Sequence, residues 1–153
     1  MANTYTQIHI HFVFAVKHRA GIIQYRWKND LYKYIGEIVQ NKKHKMLIIN
    51  GVEDHVDLLV GVRPAQSISD LMQDVKGGSS KWINDNQLVP GRFEWQEGYG
   101  AFSHSKSQLP AVIGYIQNQE AHHQKKTFRE EYLELLEEFE VEYDEKYLFK
   151  ELV

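Results

Sequence analysis

Residues 8–17, IHIHFVFAVK, place Ile8, Ile10, Phe12, Phe14 and Val16 at alternate positions, which is the period of a strand with one face turned to a core. The period then changes. Over 25–43, YRWKNDLYKYIGEIVQNKK, the apolar residues Trp27, Leu31, Tyr34, Ile35 and Ile38 recur at helical spacing, and a basic cluster closes the segment. KMLIING and HVDLLVGV read as two strands joined through Gly51–Asp54 in a hairpin, with Arg63-Pro64 ending the second. Ser67 followed by Asp70 predicts a helix start, and Ile68, Leu71, Met72, Val75 and Trp82 keep its 3.6-residue period. Gly77-Gly78 falls inside that pattern and either ends the helix or lets another backbone come close. RFEWQ and GYGAFSH read as two short strands. Pro110 suits a first helical position, AVIGYIQNQEAHHQKK continues as one helix, and an acidic helix covers roughly 128–140.

The resulting order, β-α-β-β-α-β-β-α-α, predicts an α+β fold: a ferredoxin-like or RRM-like antiparallel sheet of about five strands with helices packed on it. At 153 residues the expectation is a single domain over 1–153, ending in an acidic helical segment, 129–153.

Composition narrows the chemistry. There is no cysteine, so thiolate ligands and disulfides are excluded and any metal must be held by imidazole, carboxylate, amide or water. No apolar run approaches the roughly 20 residues of a membrane span, and the basic start of a signal peptide is missing, so a cytoplasmic location is expected. The formal net charge of −3 conceals an asymmetry: residues 129–153 hold ten acidic against three basic side chains, whereas residues 1–128 hold 15 basic against 11 acidic. A mildly basic body is compatible with phosphate binding.

Several constellations offer reactive groups. His55 and Asp57 stand two apart on a predicted strand, hence on one face, and supply nitrogen and oxygen donors for a divalent cation or simply bond each other. His9 and His11 have the same spacing on the first strand, and spacing does not choose between the pairs. If those strands are neighbours, both pairs face one site. On the later helix Tyr115 and Gln119 lie one turn apart and His122 continues the stripe. Lys17, Arg19, Lys76, Ser79, Ser80, Lys81, His122 and Lys125 are candidate phosphate contacts. Trp82, Phe93, Trp95 and Tyr99 serve either as core or as stacking platforms for bases.

Taken together, HFVFAVKHRAGII, GVEDHVDLLVGV, SISDLMQDVKGGSS, FEWQEGYGAFS and VIGYIQNQEAHHQKKTF resemble, in order and spacing over roughly residues 5–128, the single-tyrosine HUH transposases of the insertion-sequence 200/605 group. That resemblance implies a bacterial or archaeal enzyme of mobile elements that cuts and rejoins single-stranded DNA beside hairpins at the element ends. By motif position Tyr115 is the implied nucleophile, forming a 5'-phosphotyrosine and freeing a 3'-hydroxyl, and His55, the residue at 57 and Gln119 are the implied ligands of Mg²⁺ or Mn²⁺. A homodimer is implied as well, with the tyrosine helix of one subunit able to serve the other. One departure stands out: Asp57 occupies the place where the strand motif usually has its second histidine. A carboxylate is a harder ligand that suits Mg²⁺, but its charge offsets part of the cation's and lies near the phosphate. Two alternatives therefore stay open: a domesticated relative that holds hairpin DNA or RNA without cutting it, and a phosphoesterase that uses water in place of tyrosine.

Overall fold

The computed structural model describes residues 4–19 and 22–148; Arg19 and Glu145 are described in their backbone only. The elements run β1 (His9–Ala15), α1 (Tyr25–Asn41), β2 (Lys45–Val52), β3 (His55–Gly61), α2 (Ile68–Asp85), β4 (Gly100–His104), α3 (Leu109–Gln117), α4 (Gln119–His123), α5 (Phe128–Glu138) and α6 (Glu145–Leu148). The sheet is antiparallel in the order β2-β3-β1-β4. With α1 and α2 between the strands, this is the ferredoxin-like split βαβ arrangement.

Alternation along the two central strands divides their side chains between two helical layers. Phe12, Phe14, Val16, Val56, Leu58 and Val60 pack with Leu31, Ile35 and Val39 of α1 and Leu71, Met72 and Val75 of α2. On the opposite face Val13, Ala15 and Phe102 pack with Phe128 and Leu136 of α5. α3 and α4 meet that same face over β2, so the sheet is covered on both sides and β3 is buried along almost its whole length.

The Ser67 hydroxyl accepts the Asp70 amide at 3.1 Å and starts α2 as the sequence predicts. Gly77-Gly78 does not end the helix. Instead a Cβ at Gly78 would lie 2.9 Å from Cδ1 of Ile38, so the missing side chain lets α1 and α2 approach. In the β2–β3 hairpin a Cβ at Gly51 would meet the His55 carbonyl at 2.3 Å, which makes glycine a condition of the turn that presents His55.

Three sequence expectations are corrected. The sheet has four strands rather than five, because residues 92–96 contribute only one isolated bridge, Trp95 to Val16, beyond the end of β1. Phe93 and Trp95 alternate into the core as a strand's residues would, but no ladder follows. The predicted continuous helix after Pro110 is interrupted at Asn118 (φ −96°, ψ 20°), which separates α3 from α4. α1 stops at Asn41, since Lys43 takes the left-handed region at φ 69°.

Candidate functional site

β3 carries Val56, Leu58 and Val60 toward α1 and α2, so His55 and Asp57 necessarily project toward the other layer. Both are fully buried. The Asp54 carboxylate accepts from His55 Nδ1 at 2.7 Å, which leaves Nε2 directed inward. There it faces two oxygens: Gln119 Oε1 at 3.0 Å and Asp57 Oδ2 at 3.3 Å. Asp57 Oδ2 has no hydrogen-bond partner, and its other oxygen takes His11 Nε2 at 2.7 Å.

His11 stands on β1, paired in register with Leu59, and is buried. The neighbouring-strand geometry therefore brings one member of the first-strand histidine pair to the site. His9 ends near the sheet margin opposite Gly61 and His104.

Three acceptors converging on one point in the interior need a positive charge between them. In the metal-free protein that charge is a proton. Burial pulls the His55 imidazole down, but the Asp54 and Asp57 carboxylates beside it outweigh that and push its pKa up to about 10. Burial likewise disfavours the Asp57 carboxylate, yet His11 and His55 hold it well below the usual carboxylate range. A nitrogen and two oxygens directed at one point, with a carboxylate on the outer imidazole nitrogen and an unpartnered carboxylate oxygen, form a donor set fit for Mg²⁺ or Mn²⁺.

The helical side brings Tyr115 and Gln119 over this point. Asn50, opposite Asp57 in the β2–β3 register, donates from Nδ2 to the carbonyls of Ile116 and Gln117 at 3.0 and 3.1 Å. Those carbonyls belong to the end of α3, where they lose their helical partners. One amide thus fastens the break between α3 and α4 to the strand beside the candidate ligands, a role with no local signature in the sequence. The Tyr115 ring lies 6.2 Å from that of His11 and 4.8 Å from that of His122, centre to centre. Burial first, and then the Glu131 carboxylate, raise the phenol well above its ordinary pKa.

The remaining sequence candidates are elsewhere. Lys76, Ser79, Ser80 and Lys81 lie on α2, across the sheet from His55. Ser79 is buried, donating to the Val75 carbonyl at 2.6 Å and accepting from Trp95 Nε1 at 2.9 Å, so its hydroxyl is committed to the fold and not to a phosphate. Lys76 donates to the carbonyls of Gln96 and Gly98. Lys17 pairs with Glu94 at 2.8 Å, Lys81 pairs with Asp85, and Lys125 is exposed. Lys17, Lys76 and Ser80 line one cavity of about 310 Å³ together with Arg92, and Ser80 and Lys81 line an adjoining one of about 710 Å³. The side chain of Arg19 lies outside the described residues. Phe93 and Trp95 belong to the core, and Trp82 stacks on Tyr34 at 5.5 Å.

Residues 4–119 match the family model described as "Transposase IS200 like". The chain belongs to the IS200-like transposase family. A member from Deinococcus radiodurans, the ISDra2 transposase TnpA, is 24% identical over 118 residues, covering 74% of this chain and 84% of that protein. A crystal structure of a candidate transposase from the same organism superposes with a TM-score of 0.63 at 21% identity, over 78% of this chain and 95% of the other. A REP-associated tyrosine transposase bound to a REP hairpin gives a TM-score of 0.61 at 10% identity, over 80% and 73%. The family match thus runs from residue 4 to the start of α4, and α5 and α6 follow the residues that match. Among the described residues no helix is long and apolar enough to cross a membrane.

Proposed function

We propose that this IS200-like transposase cleaves and rejoins single-stranded DNA through a covalent bond between Tyr115 and a 5'-phosphate. The observation that carries the reading is the convergence of Asp57 Oδ2 and Gln119 Oε1 on His55 Nε2, with Tyr115 on the helix turn preceding Gln119. The phenol oxygen forms a bond to phosphorus as the bond from phosphorus to the 3'-oxygen breaks. The phenol proton leaves, and the departing 3'-oxygen is protonated to a hydroxyl. Reversal by another 3'-hydroxyl joins strands, so the bond energy is conserved and no nucleotide cofactor is needed.

Each residue has a distinct task. A divalent cation, Mg²⁺ or Mn²⁺, held by His55, Asp57 and Gln119 would polarise a non-bridging phosphate oxygen and offset charge in the transition state. Asp54 fixes the orientation of His55 through Nδ1, and His11 fixes that of Asp57 through Oδ1. His11 also supplies an imidazole beside the centre where Asp57 has replaced one. Asn50 sets the height of Tyr115 over the sheet. A third cavity, of about 730 Å³ and lined by Tyr25, Lys28, His123 and Lys126, adjoins Asp54 and offers cations and an exposed ring to a DNA strand.

The transposase acts, in this reading, as a homodimer in a bacterial or archaeal cytoplasm, with residues 1–153 as one unit and hairpins at element ends as the recognised DNA. The REP hairpin in the related complex supports that choice of partner. Lys17, Lys76, Ser80 and Lys81 are available for backbone contacts away from the centre, and His122 and Lys125 for contacts close to it. Incubation with end-derived single-stranded DNA and Mn²⁺ is expected to yield a covalent adduct that is lost in Tyr115→Phe. Hairpin binding insensitive to chelator, with no adduct from any substrate, would instead identify a non-cleaving relative. Turnover without an adduct would identify a water-using phosphoesterase.

A further inference from the structure

Beyond the residues that match the family, the chain places two more ligating groups against His55. The His123 ring, at the end of α4, packs on the His55 ring with centres 4.4 Å apart. Glu131, in the first turn of α5, is buried with its carboxylate in ion-pair contact with His123 Nε2, and no well-formed hydrogen bond reaches either of its oxygens. One ligand atom from each of His55, His123 and Glu131 lies within 4.8 Å of the other two. Phe128, one turn earlier on α5, stacks on the His55 ring at 4.6 Å and seats the helix.

A buried carboxylate needs a compensating charge, and Glu131 has beside it an imidazole and the neutral Tyr115 phenol. The same interior already holds the unpartnered Oδ2 of Asp57. One carboxylate and two imidazoles within that spacing match the charge and donor types of a divalent cation. The capping box that starts α5, with Thr127 accepting the Glu130 amide at 3.2 Å, fixes where Glu131 points.

We propose that His123 and Glu131 are ligands of the transposase's divalent cation, together with His55, so that the acidic C-terminal segment completes the metal centre of its own chain. The proposal rests on the metal-dependent reading above. It gives α5 a function in the site in place of a merely solvated role.

The test is Mn²⁺ binding to the full chain, followed by titration calorimetry and by electron spin-echo measurement of the nitrogens coupled to bound Mn²⁺. Wild type is expected to bind Mn²⁺ with two coupled imidazole nitrogens. Glu131→Gln and His123→Gln are each expected to weaken binding by at least about tenfold, and His123→Gln to show one coupled nitrogen. If wild type binds Mn²⁺ with a single nitrogen, or if Glu131→Gln binds as tightly as wild type, the proposal is overturned while the centre on His55, Asp57 and Gln119 stands. If wild type binds no Mn²⁺, the metal-dependent reading and this proposal fall together. Should Glu131→Gln fail to fold by circular dichroism, the nitrogen count in wild type and His123→Gln decides alone.

Discussion

The two halves of the candidate centre are built by different means. His55 and Asp57 stand on β3, which is hydrogen-bonded to β1 on one side and β2 on the other, so neither can move without opening the sheet. Tyr115, Gln119, His123 and Glu131 come from three short helices, fastened by a few side-chain contacts: Asn50 at the α3–α4 break, Lys28 with Glu120, and Lys126 with Glu134. A ligand on a strand has its position set by the whole ladder. A nucleophile on a short helix keeps freedom to adjust, at the cost of depending on single bonds. The fixed side suits a metal seat and the adjustable side suits a group that must alternate between free and covalently attached states.

That contrast makes the strand half the more sensitive to substitution. His55→Ala removes a candidate ligand and leaves Asp57 as a buried carboxylate with only His11 beside it. The expected loss is about 3–5 kcal/mol of stability and at least on the order of 10²-fold in Mn²⁺-dependent adduct formation, read by denaturant unfolding and adduct yield. Unchanged stability would show that β3 is not the rigid partner.

Asn50→Ala separates the halves from each other. It strands two carbonyls at the end of α3, for about 1–3 kcal/mol, and loosens Tyr115, for on the order of 10²-fold in adduct rate. Mn²⁺ affinity should fall far less, because His55 and Asp57 are untouched. Equal losses of both would mean that the helices, too, hold the metal seat in place.

The effect of pH is smaller and isolates the strand half. The pKa of His55 is raised to about 10, so its contribution to metal-free stability is complete below its ordinary value of 6.5 and is lost as pH rises through about 10. The pKa of Asp57 is lowered, so its contribution is complete above its ordinary 3.8 and is lost as pH falls through the depressed value. The melting temperature of the metal-free protein is expected to decline from near neutral pH toward 10, and His55→Gln to flatten that decline. Apparent Mn²⁺ affinity is expected to rise over the same interval, since the cation displaces the proton on Nε2.

The smallest expected effect lies on the far face. Lys81→Ala breaks an exposed i,i+4 pair with Asp85, so stability should change by less than about 0.5 kcal/mol. If α2 contacts hairpin phosphates, the salt dependence of DNA binding should fall by about one unit of slope, with adduct chemistry unaltered.

The difference between the halves also explains what can be read from the residues alone. His55 and Asp57 share a face because strand alternation is local, but the apolar run through Leu58, Leu59 and Val60 does not tell which layer that face meets. The start of α2 at Ser67 is equally local. The bond from His11 to Asp57 depends on which strands are neighbours, so the spacing of His9 and His11 leaves their placement undecided. The break at Asn118 is hidden because Tyr115 and Gln119 keep helical spacing across it, and Asn50 lies 66 residues from the carbonyl it holds. Residues 92–96 alternate like a strand because Phe93 and Trp95 both enter the core, although their pairing with the end of β1 stops at the one bridge between Val16 and Trp95. The acidic count of residues 129–153 suggests a solvated helix, whereas Glu131 faces inward and is buried.

The most direct test is an anomalous difference map from crystals of the full chain grown with Mn²⁺. A strong peak about 2.2 Å from His55 Nε2 and Asp57 Oδ2, with a Tyr115 phenol from the same or the partner chain facing it, is the expected result. A peak elsewhere, or a centre that no Tyr115 in the assembly can approach, would contradict a strand-cutting tyrosine served by a metal on β3.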